Sequence, residues 1–311
     1  MEIILGTTEF ELNASTAVAI GKFDGVHLGH RRLLEEILAQ KARGLQACVF
    51  TFDPAPSVLF GVSDGKELTT PEEKRAIFEK MGVDILIEFP LDFQTAAIEA
   101  EEFVRELLCG QMGMSFLAAG KDLSFGAGGA GNGALLKRMS EELDFDVKLI
   151  EKVKVDDREV SSTYIRECIE QGEMEKAEKL LGNPYGICGK VVHGNRIGRT
   201  LGFPTVNLVP AKSKLLPPNG VFYAHVLHQG RLYKGISNVG VKPTVTNEAV
   251  MGVETFLYDF DGEIYDEEIE VRLLAFERPE QRFDSLDSLK TQLQIDIQNG
   301  EKWHREKKFG D

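Results

Sequence analysis

The chain has 311 residues, of which 42% are hydrophobic, and a formal net charge of -14 at pH 7. This length is typical of two domains, each large enough to bury a core of its own. So acidic a chain is a poor partner for nucleic acid or an anionic membrane surface, because both require clustered Lys and Arg. The partners that we expect are therefore small-molecule substrates.

The cysteines and the hydropathy pattern bear on where the protein works. The four cysteines, Cys48, Cys109, Cys168 and Cys188, are widely separated, so neither a zinc site nor a disulfide framework is predicted. No apolar run approaches the roughly 20 residues that span a bilayer, and the N-terminus lacks the basic segment of a signal peptide. We expect a cytoplasmic protein with reduced thiols.

In the first half of the chain, apolar strands alternate with amphipathic helices. The predicted strands are 17–20, 47–52, 83–89, 116–119 and 147–150, and the predicted helices are 31–43, 71–80, 99–108 and 134–142. Thr70, Pro71 and Glu73 have the pattern of a capping box with proline in the first turn. The alternation predicts an α/β domain with a parallel sheet and helices on both faces.

Two histidines follow the first of these strands. The stretch from Gly21 to His30 reads Gly-Lys-Phe-Asp-Gly-Val-His-Leu-Gly-His, so His27 and His30 fall in a strand-to-helix turn at the carboxyl edge of the sheet, where ligands bind. The first N–H groups of a helix attract anions, and Gly29 leaves room for close approach of a ligand. We predict a phosphate-binding site, with a polar helix cap as the alternative.

Two later segments fit the same chemistry. Phe52-Asp53-Pro54 ends the second strand and would lie on the same rim, although it is also an ordinary turn. Ser161, Ser162 and Thr163 open a helix and Arg166 follows one turn later, which predicts a second phosphate cradle rather than an N-cap alone. Nucleotidyl transfer needs positive charge around the α-phosphate, and we expect histidines and helix N-termini to supply it.

A glycine-rich segment, 126–131, matches G-x-G-x-x-G between a strand and a helix. It lacks the clean βαβ continuation with an acidic residue that a dinucleotide fingerprint requires. We interpret it as a mobile loop. The sequence contains no Walker A motif, which excludes a P-loop kinase.

After Val160 the pattern changes. Two short helices, 163–171 and 174–181, lead to Gly182-Asn183-Pro184, and we place the domain boundary there, giving domains 1–184 and 185–311. The strands predicted beyond it are 186–193, 222–229, 232–238, 252–260 and 268–276, separated by Gly, Pro and Asn turns. They predict an all-β antiparallel barrel. An amphipathic helix at 286–299 would cover one side of it.

The barrel domain carries its own phosphate chemistry between His193 and Asn207. Glycines in this stretch let backbone amides face phosphates, and Thr205 and Asn207, on one side of an extended segment, can offer oxygens to Mg²⁺. A glycine-rich hairpin turn is the alternative. Phosphorylating an alcohol requires removal of its proton, and Glu254 is the candidate general base. The alternative for Glu254 is a solvated carboxylate on a strand.

Taken together, these motifs resemble the family of bacterial bifunctional riboflavin kinases and FMN adenylyltransferases, also called FAD synthetases. The motifs that carry the resemblance are Gly-x-Phe-Asp-Gly-x-His-x-Gly-His at 21–30, Phe-Asp-Pro at 52–54, Ser-Ser-Thr-x-Ile-Arg at 161–166, Gly-Arg-x-Leu-Gly-Phe-Pro-Thr-x-Asn at 198–207, Asn-x-Gly-x-x-Pro-Thr at 238–244 and Glu-Thr at 254–255. The segment 278–283, followed by Leu286, Leu289, Gln292 and Asp296, is similar to the closing segment of the family.

The resemblance implies two ATP-dependent reactions. Riboflavin would become FMN at the barrel, with Thr205 and Asn207 near Mg²⁺ and Glu254 as base. Its other implied binding residues there are Gly194, Gly198, Arg199, Gly202 and Asn238. FMN would become FAD, with release of pyrophosphate, in a Rossmann-like nucleotidyltransferase domain where His27 and His30 contact the ATP phosphates. The further binding residues implied there are Gly21, Phe23, Asp24, Gly29, Asp53, Asp122, Ser161, Ser162, Thr163 and Arg166.

Four positions depart from the family pattern. Ala55 replaces a histidine after Phe-Asp-Pro, Leu123 replaces an aromatic residue, the loop 127–133 lacks its basic residue, and Asp266 replaces a glycine. Three of the four lie in the first half, so adenylylation is expected to be the slower or more specialised reaction. The alternatives are a riboflavin kinase with an impaired first domain and a non-catalytic regulator that binds flavin or nucleotide.

Overall fold

In the computed structural model, which describes residues 1–62, 64–194, 197–243 and 249–307, the chain forms two compact units. They are Met1–Ser162 and Thr163–Asp311. The two short helices that precede the barrel thus belong with the second unit by contacts, whereas the sequence pattern places the boundary after residue 184.

The first unit is built on a six-stranded sheet. Its strands are β1 (Glu2–Leu5), β2 (Thr16–Ile20), β3 (Gln46–Asp53), β4 (Ile85–Pro90), β5 (Met114–Gly120) and β6 (Asp146–Ile150). They lie in the order β1-β4-β3-β2-β5-β6, and every pair is parallel. The predicted parallel sheet is confirmed. β1 was missing from the prediction because an edge strand of four residues, mostly exposed, has no clear periodicity.

Helices cover both faces of this sheet. They are α1 (Leu28–Ala39), α2 (Pro56–Leu59), α3 (Pro71–Met81), α4 (Ala100–Glu102), which continues as a π-helical segment (Phe103–Gln111), and α5 (Gly133–Leu143). A short hairpin, β7 (Lys154–Val155) and β8 (Arg158–Glu159), follows. The predicted capping box at Thr70 and Glu73 is present at the start of α3.

The alternation of side chains along the strands creates two cores. In β2, Val18 and Ile20 belong to the core on the side of α4 and α5, whereas Ala17 and Ala19 belong to the core on the side of α1 and α3. Successive residues of a strand point to opposite faces, so a continuous apolar run serves both cores. The buried run before the histidines therefore fixes where β2 ends and the turn begins.

The second unit is a closed barrel with helices outside it. Its elements are α6 (Ser162–Glu170), α7 (Met174–Leu181), β9 (Tyr185–Val192), α8 (Ile197–Leu201), β10 (Thr205–Leu208), β11 (Gly220–His228), β12 (Arg231–Pro243), β13 (Ala249–Leu257), β14 (Glu268–Pro279) and α9 (Leu286–Glu306). The six strands close in the order β10-β13-β12-β11-β14-β9 and all pairs are antiparallel. The predicted barrel is confirmed, and β10 is the strand that closes it between β13 and β9.

The terminal helix α9 extends seven residues beyond its predicted end because its last turns pack on the barrel. Trp303 stacks on Tyr223 with ring centroids 4.7 Å apart. His304 donates from Nε2 to the carbonyl oxygen of Gly235 at 3.0 Å, and its ring stacks on His225 at 5.4 Å. These contacts anchor the C-terminal half of α9.

The buried histidine beneath α9 makes the stability of the barrel dependent on pH. Burial lowers the pKa of His225 from 6.5 to about 4, with further lowering by His304, Arg272 and Lys234. In the unfolded chain the His225 side chain has a pKa near 6.5, so as the pH falls it takes up its proton there before it does in the folded protein. This contribution to stability is therefore present above pH 6.5 and is lost as the pH falls towards 4. The free energy of unfolding should fall between pH 7 and pH 4.5 in the parent chain. In His225→Leu we expect this fall to be smaller by on the order of 1–2 kcal/mol.

Urea unfolding of the full chain measures this effect, with fluorescence of Trp303, the single tryptophan of the sequence, as the probe of the barrel. His193→Leu, at an exposed histidine of the same unit, is the matched control and should keep the pH dependence of the parent chain. An unchanged pH dependence in His225→Leu would show that His225 is not the responsible group.

Candidate active sites

The turn between β2 and α1 is held in a strained conformation. Phe23 and Val26 have φ values of 49° and 40°, in the left-handed region that β-branched and bulky residues rarely adopt. Both side chains have zero exposure, and Phe23 packs edge to face on Phe78 at 5.5 Å. Burial of these side chains stabilises the strained backbone, a feature that clusters at functional sites.

Hydrogen bonds fix the same turn from two directions. Asp24 accepts the backbone N–H of Leu68 at 2.7 Å through Oδ1, and Gly25 donates its N–H to Thr69 Oγ1 at 3.0 Å. Ser162 donates its hydroxyl to the carbonyl oxygen of Asp24 at 2.9 Å. Asp24 and Ser162, both predicted to bind a ligand, thus have contacts that shape the turn.

The two histidines form one unit at the start of α1. His27 is the N-cap residue, and its Nδ1 accepts the backbone N–H of His30 at 3.3 Å. The two rings are nearly parallel, at 15°, with centroids 3.7 Å apart. A neutral imidazole that accepts at Nδ1 carries its proton on Nε2. His27 is therefore a helix cap through one ring nitrogen and an N–H donor through the other.

Both histidines are uncharged at neutral pH in the free protein. Burial lowers the pKa of His27 to about 4, and the negative charge of Asp24 offsets only part of this effect. Burial also lowers the pKa of His30 well below 6.5, and His27 and Lys74 lower it further. The expectation that the histidines supply positive charge to a bound nucleotide stays a prediction, because these pKa values describe the free protein. In the free protein the histidines supply N–H donors beside the unpaired amides of the helix start.

The glycines of the turn make room for the rings. A Cβ atom on Gly29 would lie 3.1 Å from Cε1 of His27, and one on Gly21 would lie 3.2 Å from the ring of Phe23. Contacts this short force a neighbour to shift. Gly29 thus admits the ring of His27, whereas the sequence suggested that it leaves space for the ligand.

The remaining predicted residues of this site lie at neighbouring strand ends. Asp53 ends β3 and is exposed. Asp122 follows β5 and forms an ion pair with Lys152 at 3.2 Å, and Lys152 also contacts Glu159 at 3.1 Å. Since β3 and β5 flank β2 in the sheet, these side chains belong to the carboxyl edge where the histidine turn lies. Ser161 precedes α6.

Thr163 and Arg166 lie on α6, in the second unit. Their predicted contact with the phosphates stays a prediction. Leu123, which stands where the family has an aromatic residue, packs against the core of the first unit. The glycine-rich segment forms a turn closed by two backbone hydrogen bonds between Phe125 and Gly131, at 3.2 and 2.8 Å. Its mobility stays a prediction.

The barrel contains a cavity of about 280 Å³. Its lining includes Gly198, Thr205, Asn238 and Glu254 of the predicted site. Register places Asn207 opposite Glu254 on β10 and β13, and Asn238 opposite Glu254 on β13 and β12. Residues directly opposite on adjacent strands share a face of the sheet. Three predicted residues therefore form one row across three strands.

Thr205 and Asn207 lie together on β10. The amide nitrogen of Asn207 donates to the carbonyl oxygen of Thr205 at 3.3 Å and lies 3.5 Å from its hydroxyl oxygen. A Cβ atom on Gly194 would lie 2.7 Å from Cγ of Asn207, and one on Gly198 would collide with the carbonyl oxygen of Phe203. Both positions therefore require glycine on steric grounds.

Gly202 has a φ of 91° and directly follows α8, so it acts as a left-handed helix terminator. Arg199 lies within α8, but its side chain is outside the described part of the structure. Asn195, Arg196 and Thr244 of the predicted motifs also lie outside the described residues.

No group of three or more His, Cys, Asp or Glu side chains within the described ranges is arranged to hold a metal ion. Hydroxyl and amide oxygens such as those of Thr205 and Asn207 are the hard donors that Mg²⁺ prefers, and Mg²⁺ commonly completes its shell with water and substrate phosphates. The chemistry of this donor pair fits Mg²⁺ held jointly with a nucleotide.

Sequence reasoning assigned no role to the far wall of the cavity. That wall consists of Phe203 and Phe256, Arg278 from β14, Phe283, and Leu289, Leu293, Asp296 and Ile297 from α9. The spacing of Leu289, Leu293 and Ile297 at intervals of four is the signal that could have predicted a shared helix face. What that face covers depends on tertiary packing.

Two family models match the chain. One, described as FAD synthetase, matches residues 9–164, and the other, described as riboflavin kinase, matches residues 181–304. The chain is 35% identical to a bifunctional riboflavin kinase/FMN adenylyltransferase of Listeria monocytogenes, with 94% of each chain covered. It is 38% identical to the protein of that name from Escherichia coli, with 90% of each covered.

A solved structure described as a macrolide-efflux protein from Streptococcus pneumoniae has a TM-score of 0.85 and 30% sequence identity, covering 97% of this chain and 98% of that one. In the part of the chain that the structure describes, no helix is long and apolar enough to cross a membrane. The similarity thus extends over both units, each with its candidate site.

Proposed function

Because this chain belongs to the family of bifunctional riboflavin kinases/FMN adenylyltransferases, it is an ATP-dependent enzyme of both reactions, and we propose which residues carry each one. Riboflavin is phosphorylated to FMN in the barrel cavity. FMN is adenylylated to FAD, with release of pyrophosphate, at the histidine turn. The two-reaction assignment is favoured over a monofunctional kinase and over a non-catalytic regulator, since both family models match.

The row of Asn207, Glu254 and Asn238 is the observation that carries the kinase assignment. Glu254 lines an otherwise largely apolar cavity that suits the flavin ring system, with the oxygens of Thr205 nearby. In the reaction Glu254 accepts the proton of the riboflavin hydroxyl while that oxygen attacks the γ-phosphorus of ATP; the bond to the β,γ-bridging oxygen breaks and ADP leaves. Gly194 after β9, Gly198 and Arg199 on α8, and Gly202 directly after that helix contact the phosphates.

Mg²⁺ supplies charge neutralisation for the transferred phosphoryl group when it is bound. Thr205 and Asn207 would hold it through their side-chain oxygens. The proposal is supported by the closeness of these two side chains, at 3.5 Å between the amide nitrogen and the hydroxyl oxygen.

At the histidine turn, FMN already carries an anionic nucleophile, so no base is needed. His27 and His30 donate to the ATP phosphates, and the start of α1 adds backbone N–H groups. We assign Ser161, Thr163 and Arg166 of the family motif to the same phosphates, and Asp53 and Asp122 to the rim of the site. The functional domains that we propose are 1–184 and 185–311, a division supported by the start of the riboflavin kinase match at residue 181.

Replacing the proposed base separates the two reactions. We expect Glu254→Gln to lower the rate of FMN formation from riboflavin by about 10²–10⁴-fold, the usual contribution of a general base, and to leave FAD formation from added FMN unchanged. Product separation after incubation with ATP and Mg²⁺ measures both. Glu268→Gln, at an exposed carboxylate of β14, is the control. Retained FMN formation would refute the base, and loss of both reactions would refute separate sites.

Nucleotide binding at the histidine turn should take up protons. The pKa of His27 is about 4 in the free protein, and the negative charge of ATP phosphates raises it, so a larger fraction of the ring becomes protonated in the complex. The uptake grows as the pH falls from 7 to 5.5. Calorimetric titration with a non-hydrolysable ATP analogue, in two buffers of different ionisation enthalpy, measures it.

The comparison for that titration is the double variant His27→Gln/His30→Gln, which keeps the barrel site and its nucleotide binding. The difference in proton uptake between the parent chain and the double variant is the number of protons taken up at the histidine turn. Equal proton uptake by both chains would contradict contact between these rings and the phosphates.

A further inference from the structure

The terminal helix forms one wall of the barrel cavity. Leu289, Leu293 and Ile297 share a face of α9 because they are four residues apart, and all three line the cavity. Asp296 lines it as well. The shape of the cavity therefore depends on where the first half of α9 lies.

A buried ion pair joins this wall to the barrel. Arg278, near the end of β14, donates from Nε to Oδ1 of Asp296 at 2.8 Å and from Nη2 to Oδ2 at 2.5 Å. The side chain of Asp296 is 4% exposed and that of Arg278 is 17% exposed. The pair is bidentate, which fixes orientation as well as distance, and it is largely shielded from solvent.

Neighbouring groups complete the hydrogen bonding of this pair. Gln292, one turn earlier on α9, donates to Oδ1 of Asp296 at 2.8 Å, and Arg278 donates from Nη1 to the carbonyl oxygen of Pro279 at 2.9 Å. The guanidinium and the carboxylate thus form hydrogen bonds with each other, and each also bonds to a neighbouring group of its own segment. Both side chains line the cavity, but the structure pairs their polar groups with each other and with neighbouring groups.

The other polar contacts of α9 with the barrel lie towards its C-terminus. Tyr258 donates to the carbonyl oxygen of Ile297 at 2.8 Å, Asn299 donates to Glu277 at 3.0 Å, and His304 reaches Gly235. Among hydrogen bonds between described residues, Asp296 is the first position along α9 that reaches the barrel. The preceding turns are attached by apolar packing alone, so the ion pair is placed where it can control the position of this segment.

We propose that Arg278 and Asp296 act as positioning residues that hold the first half of α9 against the barrel and thereby set the affinity of the kinase site for riboflavin. The inference rests on the proposed assignment of riboflavin to this cavity. With the pair formed, Leu289 and Leu293 close the apolar wall. With the pair broken, an uncompensated charge remains at the wall and the segment moves away from the barrel to hydrate it.

Asp296→Asn tests the proposal with little change in shape. The KM for riboflavin should rise by about 10-fold or more, as expected when one partner of a buried ion pair is removed, while kcat and the KM for ATP stay within about threefold. FAD formation from added FMN in the same chain should not change. Glu270→Gln is the matched control, because it breaks the Arg272–Glu270 pair at 2.8 Å in the same strand without touching the cavity lining.

The double variant Arg278→Met/Asp296→Leu separates positioning from direct contact with the substrate. An apolar pair of similar size can replace a buried ion pair without loss of packing, so α9 should stay docked and the KM for riboflavin should return to within about threefold of the parent value. A KM in the double variant as high as in Asp296→Asn would overturn the positioning role, because it would mean that the charges themselves bind riboflavin. Fluorescence of Trp303 during thermal unfolding confirms that each variant is folded at the assay temperature.

Failure of this inference is distinguishable from failure of the proposed function. An unchanged KM for riboflavin in Asp296→Asn, together with loss of FMN formation in Glu254→Gln, would overturn the positioning role and leave the cavity assignment in place. Retained FMN formation in Glu254→Gln would overturn the cavity assignment itself.

Discussion

Strand register is the constraint on which the candidate site in the barrel depends. In the barrel, the pairing of β10 with β13 and of β13 with β12 aligns Asn207, Glu254 and Asn238 in one row. A slip of one residue in β10 would turn Thr205 and Asn207 to the opposite face, because side chains alternate along a strand. β10 is only four residues long, so its register is determined by the strands on either side of it.

In the first unit, desolvation determines the chemistry of the histidine turn. The rings of His27 and His30 pack against each other and against Phe23, which removes water from both and keeps them neutral. A neutral pair does not repel itself, so the turn is stable without a ligand. In the proposed function, N–H donors that are already oriented offset the cost of burying a phosphate there, and the rings gain charge when the anion binds.

The two reactions differ in the charge of the nucleophile, and the two candidate sites differ accordingly in the groups that they contain. Adenylylation of FMN uses an anionic nucleophile, and the site that we propose for it contains imidazoles, helix amides and a strained glycine-bordered turn. Phosphorylation of riboflavin uses a neutral hydroxyl, and the site that we propose for it contains a carboxylate at the edge of an apolar cavity. The acidic surface of the chain is compatible with both proposed sites, because local dipoles or a metal ion can hold an anionic substrate despite the overall charge.

Much of the fold follows from local pattern. The apolar strands, the capping box at Thr70 and the histidine turn are encoded within windows of about 15 residues, and family motifs at 198–207 and 254 identify the chemistry of the barrel. The edge strand β1, the strand β10 and the last turns of α9 were not predicted as such. Their residues adopt these conformations through pairing or packing with distant segments, a tertiary effect that overrides weak local preference.

The residue types in the motifs specify which chemistry is available: imidazoles and amides for phosphate, hydroxyl and amide oxygens for a hard cation, and a carboxylate for proton transfer. The environment and the partners of these groups depend on the folded structure. Burial made the histidines neutral, the space beside Gly29 went to the ring of His27, and the meeting of β14 with α9 brought Arg278 to Asp296 across 18 residues of sequence. Residue type is fixed locally, whereas pKa, orientation and partnership depend on neighbours that the chain brings together only when it folds.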